Sequence, residues 1–294
     1  MALGSQIMKA TLKNSNFASR FFQFWLVFLF CFAGGAILGT VLTGGNFDNV
    51  FSLKMRILIQ SSASFLVPSF ILAYLWCGKP FQFFGFRKKS NWKAYFFVFL
   101  LMLAAIPFIN LLADLNARIP FPESLSGIEM YLKALEVRVA MQTERILTVH
   151  TIVGLLFNIF LIAIIPALGE ELFFRGTLQR IFADARGAVF AIWISALIFS
   201  AFHFQFYGFI PRMLLGAFFG YLFVWSRNIW LPIVAHFANN FFIVLYFYFS
   251  KNNIISTDFE TIGAGETWWL GVVCGVVFVF GFFLLKQKIL FSKK

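Results

Sequence analysis

Charge is scarce in this sequence. Asp, Glu, Lys and Arg together make up 12% of its 294 residues, about half of the ~25% usual in soluble globular domains. Histidine occurs three times, at His150, His203 and His236, and cysteine three times, at Cys31, Cys77 and Cys274. The cysteines fall in or beside apolar runs with no metal-ligand spacing, so they read as small buried hydrophobes rather than a thiolate site. There is no convincing internal repeat, no low-complexity segment and no flexible linker, so nothing suggests a second domain.

What the chain has instead is apolar length. It is 61% hydrophobic, holds 45 phenylalanines and has a mean hydropathy of +0.84. Apolar runs of about 18 or more residues with few charges are candidate membrane helices. Such runs cover roughly 21–43, 57–77, 94–113, 151–169, 188–207, 229–250 and 267–285, with a shorter one at 211–226. The expected fold is an all-α, polytopic membrane bundle of about eight transmembrane helices in a single integral-membrane domain over 1–294. The first apolar run is too long for a signal-peptide core, so the first helix reads as a retained anchor.

With the N-terminus inside and eight alternating spans, sixteen of the 24 Lys and Arg residues fall inside and eight outside. The positive-inside rule then predicts that both termini are cytoplasmic. Topology thus accounts for the net charge of +12. The basic clusters read as anchors at the lipid surface, and nucleic acid is not an expected partner.

The longest polar interval runs from Asp114 to His150. Pro120 and Pro122 hold its start extended. Ser126 and Glu129 then have capping-box spacing, which predicts a helix start. Ile128, Leu132, Leu135 and Val139 follow at steps of four and three, and Glu129 and Lys133 can pair on one face. Residues 1–149 are therefore read as membrane helices plus an amphipathic extramembrane helix. Gly216 and Gly220 form a GxxxG, whose natural use is close helix packing.

An ionisable group inside a membrane costs at least ~2.5–3.5 kcal/mol and so asks for a partner or a purpose. The stretch Ala167–Gly176, ALGEELFFRG, holds three such groups. Glu171 and Arg175 are four apart and can pair as a buried brace. Glu170 points about 100° away and is left as a candidate base, since apolar surroundings make a carboxylate a better base than water does. His236 and Asn240 are also four apart, and their side chains could donate hydrogen bonds to a developing oxyanion. His203 lies about 16 residues into its run, roughly 24 Å deep at 1.5 Å per residue. Glu170 can meet it only if the fourth helix continues to about Ala183, which places Glu170 roughly 20 Å from that helix end. Such a helix needs tilt, or a kink at Pro166.

Glu170-Glu171-x-x-x-Arg175, Phe199-x-x-x-His203 and His236-x-x-x-Asn240 resemble, in order and spacing, the motifs of the CPBP family. That family comprises CAAX prenyl endopeptidases of the Rce1 type and bacterial abortive-infection or self-immunity proteases. The resemblance covers about residues 150–245 and implies a helical intramembrane endopeptidase. By that resemblance Glu170 activates the hydrolytic water with help from His203, and His236 and Asn240 form the oxyanion hole. Glu171, Arg175 and Phe199 support the site. The family has been described both as metalloproteases and as metal-independent glutamate proteases. The expectation is that no metal is required. Zinc on Glu170, His203 and His236 is the alternative, although there is no HExxH.

The expected substrate is a lipidated or membrane-inserted protein or peptide. The expected location is a bacterial cytoplasmic membrane, with the bilayer itself as partner. Two other function classes compete: a non-catalytic scaffold or immunity factor that keeps the fold, and a transporter with an ion relay. Intact Glu170, His203, His236 and Asn240 favour the enzyme over the scaffold. The lack of broken-helix pairs in matching halves disfavours the transporter.

Overall fold

The structure is a computed structural model that describes residues 12–45, 48–86 and 91–291, without the side chains of 288–291. The expectations resting on Lys9, Arg87, Lys88, Lys89, Lys293, Lys294 and the Lys288 side chain lie outside these residues, as does the start of the polar N-terminus. Among the described residues there is no strand. The long helices are α1 (Phe17–Leu42), α2 (Val50–Cys77), α3 (Trp92–Ala117), α4 (Ser126–Leu147), α5 (Ile152–Arg186), α6 (Ala188–Ala201), α7 (Phe209–Ser226), α8 (Trp230–Lys251) and α9 (Trp268–Phe291). The protein is an all-α integral membrane bundle.

Among the described residues seven helices are long and apolar enough to cross a bilayer: α1, α2, α3, α5, α7, α8 and the segment Phe259–Gln287, which holds most of α9. The eighth expected span is shorter as a helix than its apolar run. The run at 188–207 stops as a helix at Ala201 after 14 residues, about 21 Å against a ~30 Å hydrocarbon core. The chain turns at residues 202–208, where Phe204 takes a left-handed φ of +52°. The run expected to be short extends instead to the 18 residues of α7.

Polar side chains start the helices. Asn16, Asn49, Asn91 and Thr151 accept hydrogen bonds from the first-turn N–H groups of α1, α2, α3 and α5, which would otherwise be unpaired in an apolar setting. A single residue, Gly187, reverses the chain between α5 and α6 at φ 84°, ψ 167°, a conformation open essentially to glycine alone.

The fourth helix continues past Gly169 to Arg186, 35 residues in all. It widens to π-helix at Ile159–Ile164 and again at Glu171–Leu178. The first widening ends two residues before Pro166, as a similar one at Ser62–Leu66 in α2 ends before Pro68. Proline lacks an N–H and its ring crowds the carbonyl four residues back, and a wider turn relieves both. The second widening has no proline and carries the charges.

Helix α4 lies at the end of the bundle opposite the α5–α6 reversal. Its capping box does not form. The chain enters through a 3₁₀ turn at Glu123–Leu125, and Ser126 is already helical at φ −54°, ψ −37°, so it cannot act as the cap. The Glu129–Lys133 pair forms at 2.7 Å, and that hydrogen bond holds the Lys133 ammonium above its ordinary value. Leu132, Leu135 and Val139 are half-buried, while Ile128 stays exposed. The far end of α4 is tied down by the Lys251–Glu144 ion pair. Asn158 Nδ2 also donates to the carbonyls of Ile146 and Leu147, and Lys54 Nζ donates to Asn158 Oδ1 at 2.7 Å.

Candidate active site

The ALGEELFFRG stretch sits within α5, and every side chain from Glu171 to Leu178 is buried. Its residues divide by chemistry. Phe173 packs on Phe24 and Phe28 of α1, with ring centroids 4.5 and 5.3 Å apart. Phe174 meets Phe199 of α6 edge-on at 5.2 Å. The charged residues turn to α7 and α8.

Arg175 and Glu171 are both fully buried. Arg175 Nη1 donates to Glu171 Oε1 at 2.8 Å, and Nη2 donates to the Gly216 carbonyl at 2.9 Å. The guanidinium lies against the rings of Phe199 (4.5 Å) and Phe219 (5.3 Å). A Cβ on Gly216 would come within 3.1 Å of both Arg175 Nη2 and the Phe199 ring, so the glycine leaves the arginine its space as well as an acceptor. Gly220 repeats the arrangement one turn on, its carbonyl accepting from Gln179 Nε2 at 3.3 Å. The expected brace is in place, and GxxxG is its socket as well as a packing motif.

His236 completes the cluster. Its ring stacks on Phe219 at 5.3 Å, and Nδ1 lies 2.8 Å from Glu171 Oε1. That oxygen already accepts from Arg175, so the carboxylate is the acceptor and Nδ1 the donor. In neutral His236 the Nε2 lone pair is therefore free. Nε2 faces Glu170 Oε2 at 3.9 Å, and this buried oxygen accepts no hydrogen bond. Glu170 thus stands beside His236 with an unused oxygen, while Glu171 holds the imidazole from the other side.

Asn240, on the same face of α8 as His236, donates one amide hydrogen to the Ile162 carbonyl at 3.1 Å, and its Oδ1 accepts from Asn239. The other amide hydrogen remains. His203 stands in the turn after α6, where Nδ1 donates to the Phe199 carbonyl at 2.9 Å. Phe199 lies between the two histidines, 5.0 Å from the His203 ring and 5.9 Å from that of His236. Among the described residues Glu170 makes no hydrogen bond or ion pair with His203, and Phe199 bridges His203 to His236. The three residues considered for zinc are likewise not gathered: no group of three His, Cys, Asp or Glu side chains forms a metal-sized cluster among the described residues.

These residues, from three motifs, lie in one stretch of chain. Residues 152–242 match the family model for type II CAAX prenyl endopeptidase, Rce1-like. This similarity, over less than half of the chain, supports a membrane peptidase of the CAAX-protease type. Neither the curated proteins nor the solved structures yielded a match.

Reading the sequence alone missed Phe219, which faces both Arg175 and His236, and the use of the Gly216 carbonyl. A backbone acceptor leaves no mark in a sequence, and one phenylalanine among 45 carries no signal of its own.

Proposed function

We propose that the protein is an intramembrane endopeptidase in which Glu170 is the base that activates water. The observation that carries this reading is the buried Glu170 Oε2, unpaired and 3.9 Å from His236 Nε2, within the Rce1-like segment. Water would attack the scissile carbonyl carbon as its proton passes to Glu170. The oxyanion would accept hydrogen bonds from the free amide hydrogen of Asn240 and from protonated His236 Nε2, whose charge Glu171 offsets. Collapse of the intermediate would break the C–N bond as Glu170 returns the proton to the leaving amine. His203 would help orient the water, and Phe199 would hold both histidines.

The substrate class we propose is a lipidated or membrane-inserted peptide. The location is a bacterial cytoplasmic membrane, with both termini cytoplasmic. No metal is assigned to the reaction. Comparing the membrane peptidome of cells carrying wild-type protein with that of cells carrying Glu170→Ala tests the proposal. The wild type should generate cleavage products that vanish in the folded variant. Identical peptidomes would point to a non-catalytic scaffold instead. Stoichiometric zinc in the purified active protein, lost together with activity on chelation, would overturn the metal-free assignment.

A further inference from the structure

The Rce1-like match begins at residue 152, so it leaves α1 to α4 outside. Two of those helices grip the turn that carries His203. From α4, Glu136 Oε1 accepts from the Tyr207 N–H at 3.1 Å, and Oε2 accepts from Gln205 Nε2 at 3.0 Å. Gln205 in turn accepts from Arg212 twice, at Oε1 (2.8 Å) and at its backbone carbonyl (3.1 Å). From the end of α3, the buried Asn116 donates to the Phe206 carbonyl at 2.9 Å and accepts from the Ile210 N–H at 3.1 Å. Phe121, between α3 and α4, packs on Phe206 with ring centroids 4.7 Å apart.

The turn needs such a hold. Phe204 is 75% exposed and adopts φ +52°, a backbone region that a phenylalanine occupies only when its surroundings over-determine it. Glu136 is also free for the task. Lys133, one turn before it, is taken by Glu129, and the hydrogen bonds of Arg212 go to Gln205, although its charge also acts on Glu136. Arg212 is near enough for its charge to act on the His203 imidazole, so the same network places a cation beside the site.

We infer that Glu136 is a positioning residue: from the extramembrane helix α4 it clamps residues 202–208 and thereby sets the place of His203. This deepens the peptidase reading and rests on it for its catalytic consequence. It assigns a task to chain outside the Rce1-like segment.

The three histidines make a direct test practicable. In full-length protein labelled with ¹⁵N-histidine in lipid nanodiscs, Glu136→Ala should shift or broaden the His203 ring signals and leave His150 unchanged. Cleavage should lose about tenfold in kcat with KM within about twofold, because misplacing a catalytic group acts on the chemical step. Glu136→Gln keeps an oxygen for the Tyr207 N–H and should give smaller effects on both readouts. Gln205→Leu breaks the network at its middle, should reproduce the Glu136→Ala effects, and serves if that variant does not fold. Unmoved His203 signals would overturn the clamp. Moved signals with an unchanged kcat would overturn its role in positioning. If the wild-type protein cleaves nothing, the peptidase reading fails and the ring signals alone decide the clamp.

Discussion

Arg175 shows how much one side chain can organise. It joins α5 to α7 through the Gly216 carbonyl, pairs with the carboxylate that holds His236, and presents its faces to Phe199 and Phe219. Removing it leaves the buried Glu171 with His236 but without its cation, and breaking a buried ion pair costs about 3–5 kcal/mol. Arg175→Ala should therefore lower the thermal midpoint together with activity. Arg175→Lys should restore little, since one ammonium cannot match a planar fork that reaches two acceptors and lies on two rings. A loss of activity at unchanged midpoint would contradict the brace. Glu170 is the contrasting case. Its Oε2 has no hydrogen bond to lose, so Glu170→Ala should leave the midpoint near that of the wild type while cleavage falls to background. The Glu171–Arg175 pair was legible from a spacing of four. The hold of Glu171 on His236 was not, because those residues are 65 apart in sequence and only the packing of α5 against α8 joins them.

At the scale of the element, the long α5 and the short α6 decide where the chemistry sits. The depth comparison between Glu170 and His203 required α5 to run past Gly169, and it does. The fate of α6 was not legible, because 188–207 is apolar throughout and periodicity gives no stop before residue 202. Asn116 and Glu136 hydrogen-bond the backbone of the turn that follows, at Phe206, Tyr207 and Ile210. Gly187 joins the two helices with nothing near its Cβ position, so Gly187→Ala should act by backbone strain alone. The expected loss is about 1–3 kcal/mol of stability, with kcat of the folded protein unchanged. A fall in kcat would mean that the reversal also sets the site.

For the whole molecule, connectivity puts α4 at one end of the bundle and the α5–α6 reversal at the other. The proposed topology, with both termini cytoplasmic, puts α4 on the opposite side of the membrane. In a background without Cys31, Cys77 and Cys274, Met141→Cys on the exposed side of α4 should react with an impermeant thiol reagent in intact cells. Ala185→Cys should react only after permeabilisation. The reverse pattern would invert the topology.

By itself the sequence determined the class of fold, the order of the membrane segments and the residues proposed to bear the chemistry. Apolar length, helical spacing and isolated charges in hydrocarbon are local properties, and each has few alternatives in a bilayer. Tertiary structure alone decided which charge meets which partner: that Glu171 rather than Glu170 holds His236, that Phe199 rather than a carboxylate links the histidines, and that α4 grips the His203 turn. Those contacts depend on how helices far apart in sequence are packed and rotated against one another, and no single helix encodes that.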